Sequence, residues 1–105
     1  MNLKEYQKEI KEFCSKNNLE SPVEHRVLDT MSELGEVAKE VLKMSDYGRK
    51  PAEYRKELES ELGDVLYSLI TVANSLEVDL EDSLNQVLEK YKKRLEKGSA
   101  GSEND

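Results

Sequence analysis

Apolar residues recur along this chain at steps of three and four and almost nowhere at steps of two, so helices rather than strands organise it. Tyr6, Ile10 and Phe13 keep the helical spacing until Asn17 and Asn18 interrupt it. Asn2 followed by Glu5 has the form of a capping box, and together these signals predict a first helix over about residues 3 to 16. Val27, Met31, Leu34, Ala38 and Val41 form the stripe of a second helix ending near Met44. Its predicted entry uses Ser21 as cap, Pro22 at the first helical position and Glu24 to return the capping bond. Residues 45–50 read as a loop, and Pro51 opens a third helix whose Leu58, Leu62, Val65, Leu69, Val72 and Leu76 carry it from about Ala52 to Leu76. Asp79 with Asp82 opens a fourth helix, which continues through Leu84, Val87, Leu88, Tyr91 and Leu95 to about Lys97, where Gly98 stops it.

The expected architecture is an all-α antiparallel four-helix bundle over residues 1–98, completed by oligomerisation into a homodimer or homotetramer. Residues 99–105 are small and polar and read as a disordered tail. Composition narrows the function classes. A net charge of -7 with 37% charged residues argues against affinity for a nucleic-acid polymer, which needs a basic footprint. An acidic protein that handles phosphates needs a bridging cation. With one cysteine, Cys14, and one histidine, His25, a chain of this kind cannot build a Cys/His zinc site, so a bound metal should be a hard, oxygen-liking one. No stretch approaches a membrane span, and the first residues lack the apolar run of a signal peptide, so no membrane partner and a cytoplasmic location are expected.

One six-residue string occurs twice: Ser-Glu-Leu-Gly-Glu-Val at 32–37 and Ser-Glu-Leu-Gly-Asp-Val at 60–65. Each copy sets two acids three residues apart, Glu33 with Glu36 and Glu61 with Asp64, stacked on one helix face. Each also carries a glycine, Gly35 or Gly63, at a helical position where it costs roughly 1 kcal/mol relative to alanine. That cost predicts close approach to the backbone by a neighbouring helix or a substrate. At about 100° per residue, Glu61, Asp64 and Glu57 fall together at the border of one apolar arc, and Glu33, Glu36 and Glu40 fall together at the border of the other.

Spacing alone carries little weight. With 23 Asp and Glu among 105 residues, acids three apart arise by chance, as Glu9/Glu12 and Asp79/Asp82 do here. The weight lies in the conjunction of two pairs, each with an internal Leu-Gly and each at the edge of a long apolar stripe. Packed as an antiparallel pair, such helices would bring four to six mutually repelling carboxylates beside one groove. A divalent cation relieves that repulsion. Mg²⁺ is the natural candidate, with Mn²⁺ as the other, because it takes hard oxygen ligands and commonly binds through carboxylates plus substrate phosphates.

Glu33-x-x-Glu36, followed after a gap by Glu61-Leu-Gly-Asp-Val-Leu-Tyr67, resembles the MazG-like nucleoside triphosphate pyrophosphohydrolases of the all-α NTP pyrophosphatase superfamily over roughly residues 25 to 95. The resemblance implies a helical, usually dimeric enzyme that cleaves a nucleoside triphosphate between the α and β phosphates, with Glu33, Glu36, Glu61 and Asp64 as Mg²⁺ ligands. Within that set, Glu36 is assigned to contact both metal and attacking water. Lys90-Tyr91 and Arg94 match a basic and aromatic patch late in the family's last helix, while an asparagine that some members place just before it is Leu88 here. Phosphoribosyl-ATP pyrophosphohydrolase, of the same superfamily, has similar boxes but carries a histidine where this chain has Ser68. A non-enzymatic helical module with solvated acids is the reading from another class.

The remaining residues each have a plain structural alternative. Lys90 and Arg94 are candidate triphosphate contacts, against ordinary compensation of a helix C-terminus. Arg49 and Lys50 are a second pair of that kind, against loop solvation. His25 reads as a surface residue, Cys14 and Tyr67 as packing, and Tyr47 and Tyr54 as packing or base-stacking groups beside the loop.

Overall fold

The computed structural model describes residues 1–98, which form α1 (Leu3–Lys16), α2 (Val23–Met44), α3 (Glu57–Ser75) and α4 (Leu80–Glu96), with no strand among the described residues. The tail expected over 99–105 lies outside them. Two helix starts follow from local chemistry. Asn2 accepts the Glu5 amide at 2.9 Å while Glu5 returns to the Asn2 amide at 3.2 Å, closing the capping box of α1. At α4, the Asp79 carboxylate accepts the Asp82 amide at 3.0 Å, and this bond, followed by the charge of Lys4 3.4 Å away, lowers the Asp79 pKa.

Two boundaries differ from the expectation. At α2, Pro22 takes the cap position and no side chain closes the first turn, so the predicted Ser21–Glu24 box does not form. The third helix starts at Glu57 and not at Pro51 or Ala52. Residues 45–50 turn back through Asp46 and Tyr47 at positive φ and Gly48 at φ 88, and the Glu53 amide then bonds the Met44 carbonyl at 2.8 Å, which ties the segment after Pro51 to the end of α2. A chain held there cannot also start a helix. The extra non-helical residues carry Arg55 back to α2, where its Nε reaches Glu40 at 2.7 Å.

The contacts fix the helix directions. Glu40 meets Arg55 and Glu33 meets Glu61 and Asp64, so α3 descends as α2 ascends. Cys14 meets Tyr67 at 3.3 Å and Gln7 meets Asn74 at 3.1 Å, so α1 is antiparallel to α3 as well. The core sits where α1 crosses α3, with Cys14, Ile70 and Ala73 buried beside the polar Gln7, Ser68 and Thr71. α4 packs on α1.

Gln7 is the fastening at that end. Its amide nitrogen donates to Asn74 Oδ1 and to the Val78 carbonyl (2.9 Å), and its amide oxygen accepts the Leu80 amide (2.9 Å), while Asn74 donates to the Gln7 carbonyl (2.9 Å). One buried side chain therefore joins α1, the end of α3 and the first turn of α4. Replacing Gln7 by Leu keeps the volume and strands these partners, and is expected to lower stability by about 2 kcal/mol or more in urea unfolding. An unchanged midpoint would show that the network does not hold α4.

Candidate metal centre

The two acid boxes meet across the α2–α3 seam. Ligand oxygens of Glu33, Glu61 and Asp64 all lie within 4.8 Å of one another. Glu33 and Glu61 are half-buried and Asp64 is exposed, so the cluster opens to solvent along one edge. Glu36, one turn further along α2, is exposed, and it lies outside the group of three while remaining near enough for its charge to act on Glu61. The helical period explains the convergence: acids at the border of each apolar arc face each other once the arcs pack antiparallel.

The site is electrostatically uncomfortable without a cation. Burial pushes the Glu61 carboxyl pKa up, and the charges of Asp64, Glu36, Glu33 and Glu40 push it further in the same direction. Three carboxylate oxygens at this separation, open on one side, suit a hard divalent ion that keeps part of its hydration or takes phosphate oxygens.

Glu40 departs from the expected acid set. It is 8% exposed, takes Arg55 Nε at 2.7 Å and Lys43 Nζ at 3.7 Å, and the Arg55 guanidinium holds its pKa below the usual carboxylate range. Arg55 is the residue that sequence reasoning passed over, because the segment holding it reads as the first turn of a helix. A cation fifteen residues beyond an acid, across a predicted hairpin, was the available signal.

The glycines do not serve helix packing within the chain. A Cβ added to Gly35 or Gly63 would meet no atom within 4 Å, and Gly63 lines an apolar groove between α1 and α3 with Leu3, Tyr6, Ile10 and Leu66. The expected close approach of the two acid helices through these glycines is therefore not what the fold uses. The other secondary candidates are dispersed. Lys90 Nζ and Arg94 Cζ each lie 5.4 Å from the Tyr91 ring centroid on α4, on the helix that packs on α1. Arg49 pairs with Asp46 at 3.5 Å, Tyr54 donates to Glu59 at 2.6 Å, and Tyr47, Lys50 and His25 are exposed. Arg26 reaches the Leu19 carbonyl and Cys14, beside a cavity of about 160 Å³ whose Thr71 and Ser75 hydroxyls donate to their own helix.

Since the folded-state pKa of Glu61 is raised above its unfolded value, the stability tied to this group is fully present below the unfolded pKa and is lost as pH rises through the folded one. Metal-free protein should therefore weaken as pH climbs through the upper carboxylate range. Glu61→Gln should flatten that decline and melt above the wild type at pH about 7.5 in calorimetry without metal. A variant melting at or below the wild type would show that the carboxylates are not in conflict.

Comparison with known proteins adds to this geometry. The MazG nucleotide pyrophosphohydrolase domain matches residues 23–99. The uncharacterized protein YpjD of Bacillus subtilis is 45% identical over 65 residues, a match covering 59% of this chain and 57% of that relative. The crystal structure of a Bacillus-conserved MazG protein, a nucleotide pyrophosphohydrolase, superposes with a TM-score of 0.73 at 33% identity, covering 87% of this chain and 89% of that one. The solved structure of YpjD from Bacillus subtilis gives the same TM-score of 0.73 and 33% identity, covering 87% of this chain and 95% of the other. With the family model matched over residues 23–99 and the fold superposing on these solved structures, the chain belongs to the MazG nucleotide pyrophosphohydrolase domain family.

Proposed function

We propose that this chain is a Mg²⁺-dependent nucleoside triphosphate pyrophosphohydrolase, releasing a nucleoside monophosphate and pyrophosphate from an NTP or dNTP. The observation that carries the reading is the convergence of Glu33, Glu61 and Asp64, one from the first box and two from the second, within 4.8 Å. Membership of the MazG family supports the same reaction class.

In this reading Glu33, Glu61 and Asp64 hold the ion, with Glu36 completing the set from the exposed side. Held there, a Mg²⁺ ion would supply positive charge to the triphosphate as a Lewis acid. Glu36, exposed and one turn from Glu33, orients the attacking water and accepts its proton as the water oxygen bonds to the α phosphorus. The bond from the α phosphorus to the bridging oxygen breaks, and pyrophosphate leaves with the electron pair. Lys90 and Arg94 lie on α4, which packs on α1, so as proposed phosphate contacts they would reach a seam through the oligomer proposed below.

An oligomer is part of the proposal. Met31, Leu34, Leu62 and Leu84 are 66%, 58%, 52% and 53% exposed, so the stripes of α2, α3 and α4 are incompletely covered within one chain. The radius of gyration, 17.0 Å, exceeds the about 13 Å of a compact domain of this length. A second copy, or three, would cover these stripes as a homodimer or homotetramer. No helix among the described residues is long and apolar enough to cross a membrane.

Glu36→Gln and Asp64→Asn are each expected to abolish Mg²⁺-dependent pyrophosphate release, a loss of about 100-fold or more, with helicity intact by circular dichroism. Retained activity in both variants sinks the proposal. A panel of unmodified and modified NTPs in the same assay identifies the preferred base and sugar.

A further inference from the structure

We infer that Arg55 sets the charge, and so the cation affinity, of the carboxylate seam by neutralising Glu40. The inference rests on the divalent-cation reading above. Glu40 stands on the same face of α2 as Glu33 and Glu36, two turns or about 10 Å beyond Glu33. Its negative charge reaches Glu61 in the seam, and without a cationic partner it would act there undiminished. The fold instead buries it, brings Arg55 Nε to 2.7 Å on one oxygen and places Lys43 Nζ 3.7 Å from the other. Arg55 is held on its far side by Glu57, 3.9 Å from Nη2. Its backbone position follows from the return of the chain to Met44 before α3 begins. The arrangement is therefore built by the same turn that sets the register of α2 against α3.

Two consequences have opposite signs. Removing the guanidinium leaves Glu40 with the more distant Lys43 alone and makes the seam more negative, so a cation binds more tightly. Removing the carboxylate's charge leaves Arg55 as an excess cation near the seam, so the same ion binds less tightly. At about 10 Å in a largely aqueous dielectric, each change should move the Mg²⁺ dissociation constant roughly threefold at low ionic strength, less at high salt. A purely structural pair cannot do this, because loosening the hairpin from either side would weaken binding in both variants.

Arg55 is thus a positioning and charge-setting residue that acts through Glu40. The test titrates MgCl₂ alone, without nucleotide, into the full chain by calorimetry. Arg55→Gln should bind about threefold more tightly and Glu40→Gln about threefold more weakly than the wild type, with the double variant returning close to it. Arg55→Lys keeps the charge and should match the wild type. Glu40→Gln carries the sign by itself if Arg55→Gln does not fold, since the amide still offers Arg55 an acceptor. Shifts of the same sign, or none, while the wild type binds Mg²⁺ overturn this inference alone. A wild type that binds no Mg²⁺ overturns the metal reading and this inference with it.

Discussion

Like charges held together across two helices are the constraint on which this structure turns. Glu33 on α2 faces Glu61 and Asp64 on α3, and burial first, then the charges of Asp64, Glu36, Glu33 and Glu40, raise the Glu61 pKa. The fold holds them there with a hairpin. The turn after Met44 and the Glu40–Arg55 pair fix the end of α2 against the start of α3, and the acids follow from that register. Repulsion that this register imposes is what a divalent cation would relieve.

The other helices support that pair from one side. α1 lies along α3 and supplies its buried contacts through Cys14 and Gln7, and α4 is attached mainly through Gln7 and the Lys4–Asp79 ion pair. The core of one chain is correspondingly small, with Ile70 its most deeply buried large side chain. Apolar stripes that the sequence writes for a bundle interior remain substantially exposed, and the proposed oligomer rests on that exposure. In that picture Gly35 and Gly63 leave open backbone for a neighbour from outside the chain.

What was legible in the sequence was local. The Asn2–Glu5 box and the Asp79 cap need only three residues of context, and both formed. The acid boxes were legible because helical period places both acids of a pair on one face, and the border position of each pair foretold that the two faces would meet. The start of α3 was not legible: Pro51 suits a first helical turn, and only the bond from Glu53 back to Met44 shows that the chain is still in its turn. Arg55 and Gln7 were missed because their partners lie far away in sequence, Glu40 in one case and Asn74, Val78 and Leu80 in the other. The stripes were read correctly as apolar, but nothing in their periodicity says whether one chain or several will cover them.

The central claim is that the α2–α3 seam exists to share a divalent cation among its carboxylates. It is tested most directly by anomalous diffraction from crystals of the full chain soaked in Mn²⁺. The account predicts an anomalous peak bonded at about 2.0–2.2 Å to oxygens of Glu33, Glu61 and Asp64. No peak there, with the same carboxylates paired instead to lysine or arginine side chains of a second copy, would contradict it.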